Sequence, residues 1–187
     1  MGSWLGALYN AAKVGESLLR GIMTPIPLPD HVVKGGAGPD TMLGRSGGDA
    51  LRGGPGDDLL KGGAGVDFLS GGSGRDVLEG GADRDYFLFS VDQLGSARGP
   101  DRIRDFAPGE DVIVVHVAGR PLGGASEDQF HAGVKASDAD QRIVYDKPTG
   151  RVFFDPDGDG KAAAVKFLKV KPGTDLHADD FLLALGL

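Results

Sequence analysis

An aspartate returns at every ninth residue through the first half of this chain: Asp40, Asp49, Asp58, Asp67, Asp76 and Asp85. Carboxylates at fixed spacing, each set among glycines, are equipped to hold a hard cation with oxygen ligands. The units that carry them read GGAGPDTML, GRSGGDALR, GGPGDDLLK, GGAGVDFLS, GGSGRDVLE and GGADRDYFL, an unbroken register over residues 35–88. Position 1 is always glycine, and positions 2 and 4 are glycine except at Arg45 and Asp83. Position 8 is always apolar: Met42, Leu51, Leu60, Leu69, Leu78 and Phe87. Such phasing marks a structural repeat, not low complexity.

The elements that must position these carboxylates follow from the unit. Glycines at positions 1, 2 and 4 let the backbone turn with positive φ, so each GGxGxD stretch is a turn. The last three residues alternate as a very short strand whose middle side chain points inward. Two units make one circuit, and stacked circuits give a roll of two parallel sheets, about 14 Å tall for three circuits at the inter-strand spacing. One inward row of apolar side chains per sheet is a thin core, and ordering so many glycines is entropically costly. Stacking also brings the carboxylates of alternate units close enough to repel. A hard cation between them answers both problems. Oxygen-only donors in a flexible loop suit calcium, whereas magnesium demands a stricter octahedron and zinc prefers nitrogen or sulfur.

The units resemble the GGxGxDxUx nonapeptide of the repeats-in-toxin (RTX), or hemolysin-type, calcium-binding family. The resemblance implies that the position-6 carboxylate and main-chain oxygens near positions 2 and 4 ligate the metal. Carried over residue by residue, it implicates Gly36, Gly38 and Asp40, then Gly47 and Asp49, then Gly54, Gly56 and Asp58. It continues with Gly63, Gly65 and Asp67, with Gly72, Gly74 and Asp76, and with Gly81 and Asp85. Arg45 departs from the pattern, either weakening its site or supplying only a carbonyl, and Asp83 offers an additional ligand at the end of the roll. Pairing each unit with the next but one gives four complete intervals, hence an expectation of about four calcium ions.

Competing readings are weaker. Aspartates that merely cap turns would not recur in six successive periods, although that reading suits Asp57 at the variable fifth position, expected to be solvated. Gly44-Arg45-Ser46-Gly47-Gly48 matches G-x-S-x-G, but a nucleophile elbow needs a strand turning into a helix, not a repeat turn. H-E-x-x-H is absent, and His31, His116, His131 and His177 form no ligand-spaced pair. His31 falls at the aspartate position of a degenerate starting unit, where turn packing is the preferred role. Asp155-Pro156-Asp157-Gly158-Asp159-Gly160 opens like an EF-hand loop, yet Lys166 stands where a bidentate glutamate is needed, so an acidic turn is preferred. The same turn reading is given to Asp101 and Asp105. No catalytic constellation is found, and a non-enzyme is expected.

Around the roll, Trp4, Leu5, Leu8, Ala12, Leu19 and Ile22 recur at mostly helical spacing, predicting an amphipathic helix over 3–22 that Pro25, Pro27 and Pro29 stop. A cap on the roll is preferred to a membrane-binding helix, which would carry more cations than Lys13 and Arg20. The apolar position-7 residues Leu59, Phe68, Val77 and Tyr86 require a cover, from this helix or the C-terminal region. After Phe89, longer alternating segments predict ordinary strands over 101–106, 111–115, 143–145, 152–154 and 164–170, with a hairpin turn at 147–150. The divisions expected are thus a helix and Pro-rich linker at 1–30, a parallel β-roll at 31–90 and a C-terminal, antiparallel β region at 91–187, an all-β fold overall.

The net charge of −7 is spread over these parts without a basic stripe, so nucleic acid is not an expected partner. The chain has no cysteine and no apolar stretch of membrane-spanning length, and its opening residues, interrupted by Lys13 and Glu16, are not expected to act as a Sec-type signal. The segments PDRIRDFAPGEDVIVV and LHADDFLLALGL are similar to the region after the roll in serralysin-type proteases and in the calcium-binding modules of mannuronan epimerases. That resemblance implies type I secretion, an extracellular location, and a partner in the secretion machinery. The expected function is a secreted, non-catalytic calcium-binding module folded by extracellular calcium. The alternatives are an accessory module for a catalytic partner domain or extracellular glycan, and a small effector acting through its first helix.

Overall fold

A computed structural model describes residues 29–90, 99–116, 123–136, 141–156 and 163–184. Each nonapeptide contributes a strand. β1 (His31–Lys34) precedes the units, which supply β2 (Thr41–Leu43), β3 (Asp49–Pro55), β4 (Leu59–Ala64), β5 (Phe68–Ser73), β6 (Val77–Ala82) and β7 (Tyr86–Ser90). Alternate strands pair in parallel with an offset of 18 residues: His31 opposite Asp49, Ala50 opposite Phe68, Thr41 opposite Leu59, Leu59 opposite Val77. The offset is two nine-residue units, so odd and even strands form separate sheets. This is the parallel β-roll expected from the repeat.

The remaining strands are β8 (Asp101–Ile103), β9 (Val112–His116), β10 (Gly123–Gly124), β11 (Phe130–Ala132), β12 (Ile143–Asp146), β13 (Arg151–Phe154), β14 (Val165–Lys169) and β15 (Phe181–Ala184). The first sheet runs β1-β3-β5-β7-β9-β15-β10 and the second β11-β12-β13-β14-β8-β6-β4-β2. The antiparallel expectation for the C-terminal region holds for β12, β13 and β14, joined in part by the hairpin turn at 147–150. It is corrected for β8, β9 and β15, which join the roll in parallel. Alternating hydrophobicity reports a half-buried strand but not its direction.

The inward row is continuous. Met42, Leu51, Leu60, Leu69, Leu78 and Phe87 are buried in one cluster with Ile103, Ile113, Phe167, Phe181 and Leu183. The strands after Phe89 therefore thicken a core that the six units alone leave thin. Burying each such side chain contributes about 1.5–3 kcal/mol. The helix expected over 3–22 and the acidic segment 157–160 lie outside the described residues.

Candidate metal centre

The turns place the aspartates in two columns. In one, the Asp40 N–H donates to Asp58 Oδ1 at 2.8 Å and the Asp58 N–H to Asp76 Oδ1 at 2.9 Å. In the other, the Asp49 N–H donates to Asp67 Oδ1 at 2.7 Å and the Asp67 N–H to Asp85 Oδ1 at 3.0 Å. Each carboxylate thus reaches back one circuit and spends one oxygen on the preceding aspartate's amide. The second oxygen has no such use. Among the described residues, Asp58, Asp67, Asp76 and Asp85 each bury an Oδ2 without a hydrogen-bond partner. A buried oxygen of this kind requires an explanation, of which a bound ion is one.

The ends of the columns behave differently. Asp40 Oδ2 accepts the Gly36 N–H at 2.8 Å, and Asp49 Oδ2 accepts the Arg45 N–H at 2.7 Å. Only within the stack are the carboxylates left half-satisfied. Burial, partly offset by the amide hydrogen bonds and reinforced by neighbouring aspartates, pushes Asp67 and Asp76 up to about 6 and Asp85 up to about 8. Asp58 is raised for the same reasons. Without a counter-charge, the fold opposes ionisation of these groups.

Backbone oxygens complete the setting. A Cβ on Gly54 would lie 2.7 Å from the Gly36 carbonyl oxygen, and one on Gly72 would lie 2.2 Å from that of Gly54. The carbonyls of Gly38, Gly47, Gly56 and Gly63 likewise face Gly56, Gly65, Gly74 and Gly81, one circuit on. Gly54 and Gly72 hold φ of 116° and 108°, a region closed to most side chains, so glycine is required both for the turn and for the space. Arg45 presents its carbonyl to Gly63 as a glycine would. Among the described residues no three His, Cys, Asp or Glu side chains form a ready metal cluster, so main-chain oxygens must supply the remaining ligands. One or two carboxylates with several carbonyls fit calcium. The residues that would hold it are Asp58, Asp67, Asp76 and Asp85 with the facing carbonyls, and the ion would supply the missing positive charge.

Other singled-out residues flank this arrangement. Asp83 is exposed and takes φ of 73°, the left-handed conformation of the glycine it replaces. His31 Nδ1 lies 3.1 Å from Asp49 Oδ1, at the head of a column. Ser46 forms a parallel bridge with Ala64 inside a repeat turn. Asp57 is partly exposed, and its Oδ1 accepts the Arg75 N–H at 3.0 Å on the next circuit.

Sequence reasoning missed the continuation of both columns. The Asp76 N–H donates to Asp101 Oδ1 at 2.8 Å, and the Asp85 N–H donates to Asp111 Oδ1 at 3.0 Å. Burial pushes Asp101 up to about 8 and Asp111 up to about 6. The signal was present: SARGPDRIR and FAPGEDVIV keep glycine at position 4, aspartate at position 6 and isoleucine at position 8. Gly99 and Gly109 also keep the positive φ of that position. Asp111 Oδ2 accepts the Ala107 N–H at 2.8 Å, repeating the satisfied end seen at Asp40. Asp105 accepts the N–H groups of Gly80 and Gly81, and Asp180 accepts those of Gly109 and His177, closing the edge with hydrogen bonds.

A parallel roll with columns of half-satisfied carboxylates defines a metal-binding repeat module. Residues 32–60 and 61–89 match the RTX calcium-binding nonapeptide repeat (4 copies), and this part of the chain is an RTX repeat array. The chain is similar to the solution structure of the AlgE6R2 subunit of the Azotobacter vinelandii mannuronan C5-epimerase, at 28% identity and TM-score 0.54, over 86% of this chain and 95% of that one. It is also similar to the AlgE6R3 subunit of the same enzyme, at 27% identity and TM-score 0.52, over 83% and 84% of the two chains. No curated protein sequence matches the chain.

Proposed function

We propose that the chain is a secreted, non-catalytic calcium-binding module whose folding is driven by extracellular calcium. The four buried, unpartnered Oδ2 atoms of Asp58, Asp67, Asp76 and Asp85 carry this reading. They number the same as the intervals between alternate repeat units, and about four ions are assigned to the roll. Metal bound only by the folded chain stabilises it by RT ln(1 + [Ca]/Kd) per site, so four sites in tenfold excess contribute about 6 kcal/mol. That is a large share of a typical domain's stability. At sub-micromolar calcium the chain stays unfolded, a state suited to type I export, and at extracellular millimolar levels it folds. The test is circular dichroism with and without a chelator. The β signal and melting temperature are expected to fall on chelation; unchanged values overturn the proposal.

A second reading places this module beside a catalytic partner, as an accessory part of a secreted polysaccharide-modifying enzyme. The likeness to epimerase subunits over nearly their whole length favours it. Binding of the calcium-loaded chain to alginate, measured by calorimetry, supports this role; no heat of binding to that polymer counts against it.

A further inference from the structure

Two kinds of repeat turn stand in the roll, and one backbone angle separates them. In the first kind the turn satisfies its own aspartate. The N–H at position 2 donates to the carboxylate four residues on: Gly36 to Asp40 at 2.8 Å, Arg45 to Asp49 at 2.7 Å and Ala107 to Asp111 at 2.8 Å. In the second kind this donor is withdrawn, and Oδ2 of Asp58, Asp67, Asp76 and Asp85 is buried without a partner. The position-2 residues of those turns, Gly54, Gly63, Gly72 and Gly81, hold φ of 116°, 127°, 108° and 112°, whereas Gly36, Arg45 and Ala107 keep negative φ. The sign of φ at position 2 decides whether its N–H reaches the carboxylate. An ionised carboxylate can only accept, so the oxygen emptied by a positive φ calls for a cation.

We infer that the turns of Asp40, Asp49 and Asp111 are metal-free caps that end the ion columns, and that the φ of the position-2 residue selects which turns bind calcium. The inference rests on the calcium reading above and narrows it, since Asp40 and Asp49 carry the repeat pattern as fully as the aspartates between the caps. The second column shows the arrangement at both ends. Asp49 heads it with both oxygens engaged, Oδ1 with His31 Nδ1 at 3.1 Å and Oδ2 with the Arg45 N–H. Asp111 ends it in the same condition, Oδ1 accepting the Asp85 N–H and Oδ2 the Ala107 N–H. Asp67 and Asp85, between them, each keep a free oxygen. The residue types agree. Arginine and alanine resist positive φ, so Arg45 and Ala107 hold their amides on the carboxylate and stand only at capping turns. Gly36 is free to take either sign and takes the capping one. A Cβ there would meet no atom within 4 Å, whereas on Gly54, the same position one circuit on, it would lie 2.7 Å from the Gly36 carbonyl oxygen.

Calorimetric calcium titration of single variants of the whole chain, each paired with urea denaturation at saturating calcium, tests the division. Asp49→Asn and Asp111→Asn are expected to bind as many ions as the parent, while their urea midpoints fall because a charge-assisted hydrogen bond is lost. Asp67→Asn and Asp85→Asn are expected to bind one ion fewer. Gly36→Ala keeps a negative φ and meets no clash, so it is expected to fold with the parent's ion count and a midpoint no lower, and it serves where a buried Asn variant fails to fold. Gly54→Ala is expected to lose calcium-induced folding. Loss of an ion in Asp49→Asn, Asp111→Asn or Gly36→Ala overturns the inference, as does an unchanged count in Asp67→Asn and Asp85→Asn. A parent that takes up no calcium overturns instead the reading on which the inference rests, so the two failures are told apart.

Discussion

At Asp67, one carboxylate oxygen is fixed by a backbone amide and the other is buried with nothing to bind, so a single atom separates a stable turn from an electrostatic liability. Replacing the residue isosterically separates these roles. Asp67→Asn keeps an acceptor for the Asp49 amide but removes the buried charge. It is expected to weaken calcium binding at least tenfold in calorimetric titration, while the chelated variant is no less stable than the chelated parent in urea. Position 4 of the last unit carries a different cost. Asp83 occupies left-handed backbone that aspartate tolerates better than most residues and glycine better still. Asp83→Gly is expected to raise stability by about 1 kcal/mol in the calcium-loaded state, read as a shifted denaturation midpoint. The converse change at Gly72 should be severe, because Gly72→Ala meets both a positive φ and the Gly54 carbonyl. Loss of cooperative calcium-induced folding is the expected result.

Among the elements, the nine-residue unit determines both strand and turn, and its inward residue bears the packing. Leu69 is fully buried at the middle of the stack, and Leu69→Ala is expected to cost about 2–5 kcal/mol, measured by denaturation at saturating calcium. The six regular units were legible because a fixed period assigns turn, inward side chain and carboxylate at once. The two degenerate units that extend the columns to Asp101 and Asp111 were not. Sixteen residues separate Asp85 from Asp101, and ten separate Asp101 from Asp111, so the nine-residue register is broken while the stacking persists. Asp101 and Asp105 consequently read as ordinary acidic turn residues. Strand direction was hidden for another reason: the short apolar runs VIVV of β9 and FLLA of β15 do not by themselves name their neighbours, and pairing with β7 and with each other makes them parallel.

For the whole molecule, the carboxylate columns link folding to both protons and calcium. Asp67, Asp76 and Asp85 are raised to about 6, 6 and 8 in the metal-free fold, above the unfolded value near 4. Between those values the folded state holds more protons than the unfolded state, so metal-free stability falls as pH rises. In chelator, the β signal is therefore expected to grow on acidification from pH 8 to pH 5. In calcium the dependence reverses, since protons compete with the ion and the apparent affinity weakens as pH falls through the same window. One core runs from Met42 in the first unit to Leu183 near the C-terminus, so the calcium-dependent transition is expected to include the strands beyond the repeats. The most direct test of this account is a calorimetric calcium titration of the chelated chain at pH 7.5, followed in parallel by far-ultraviolet circular dichroism. It should give about four ions per chain, bound as the β signal appears; a chain already folded in chelator, or one that folds while taking up no calcium, would contradict the account.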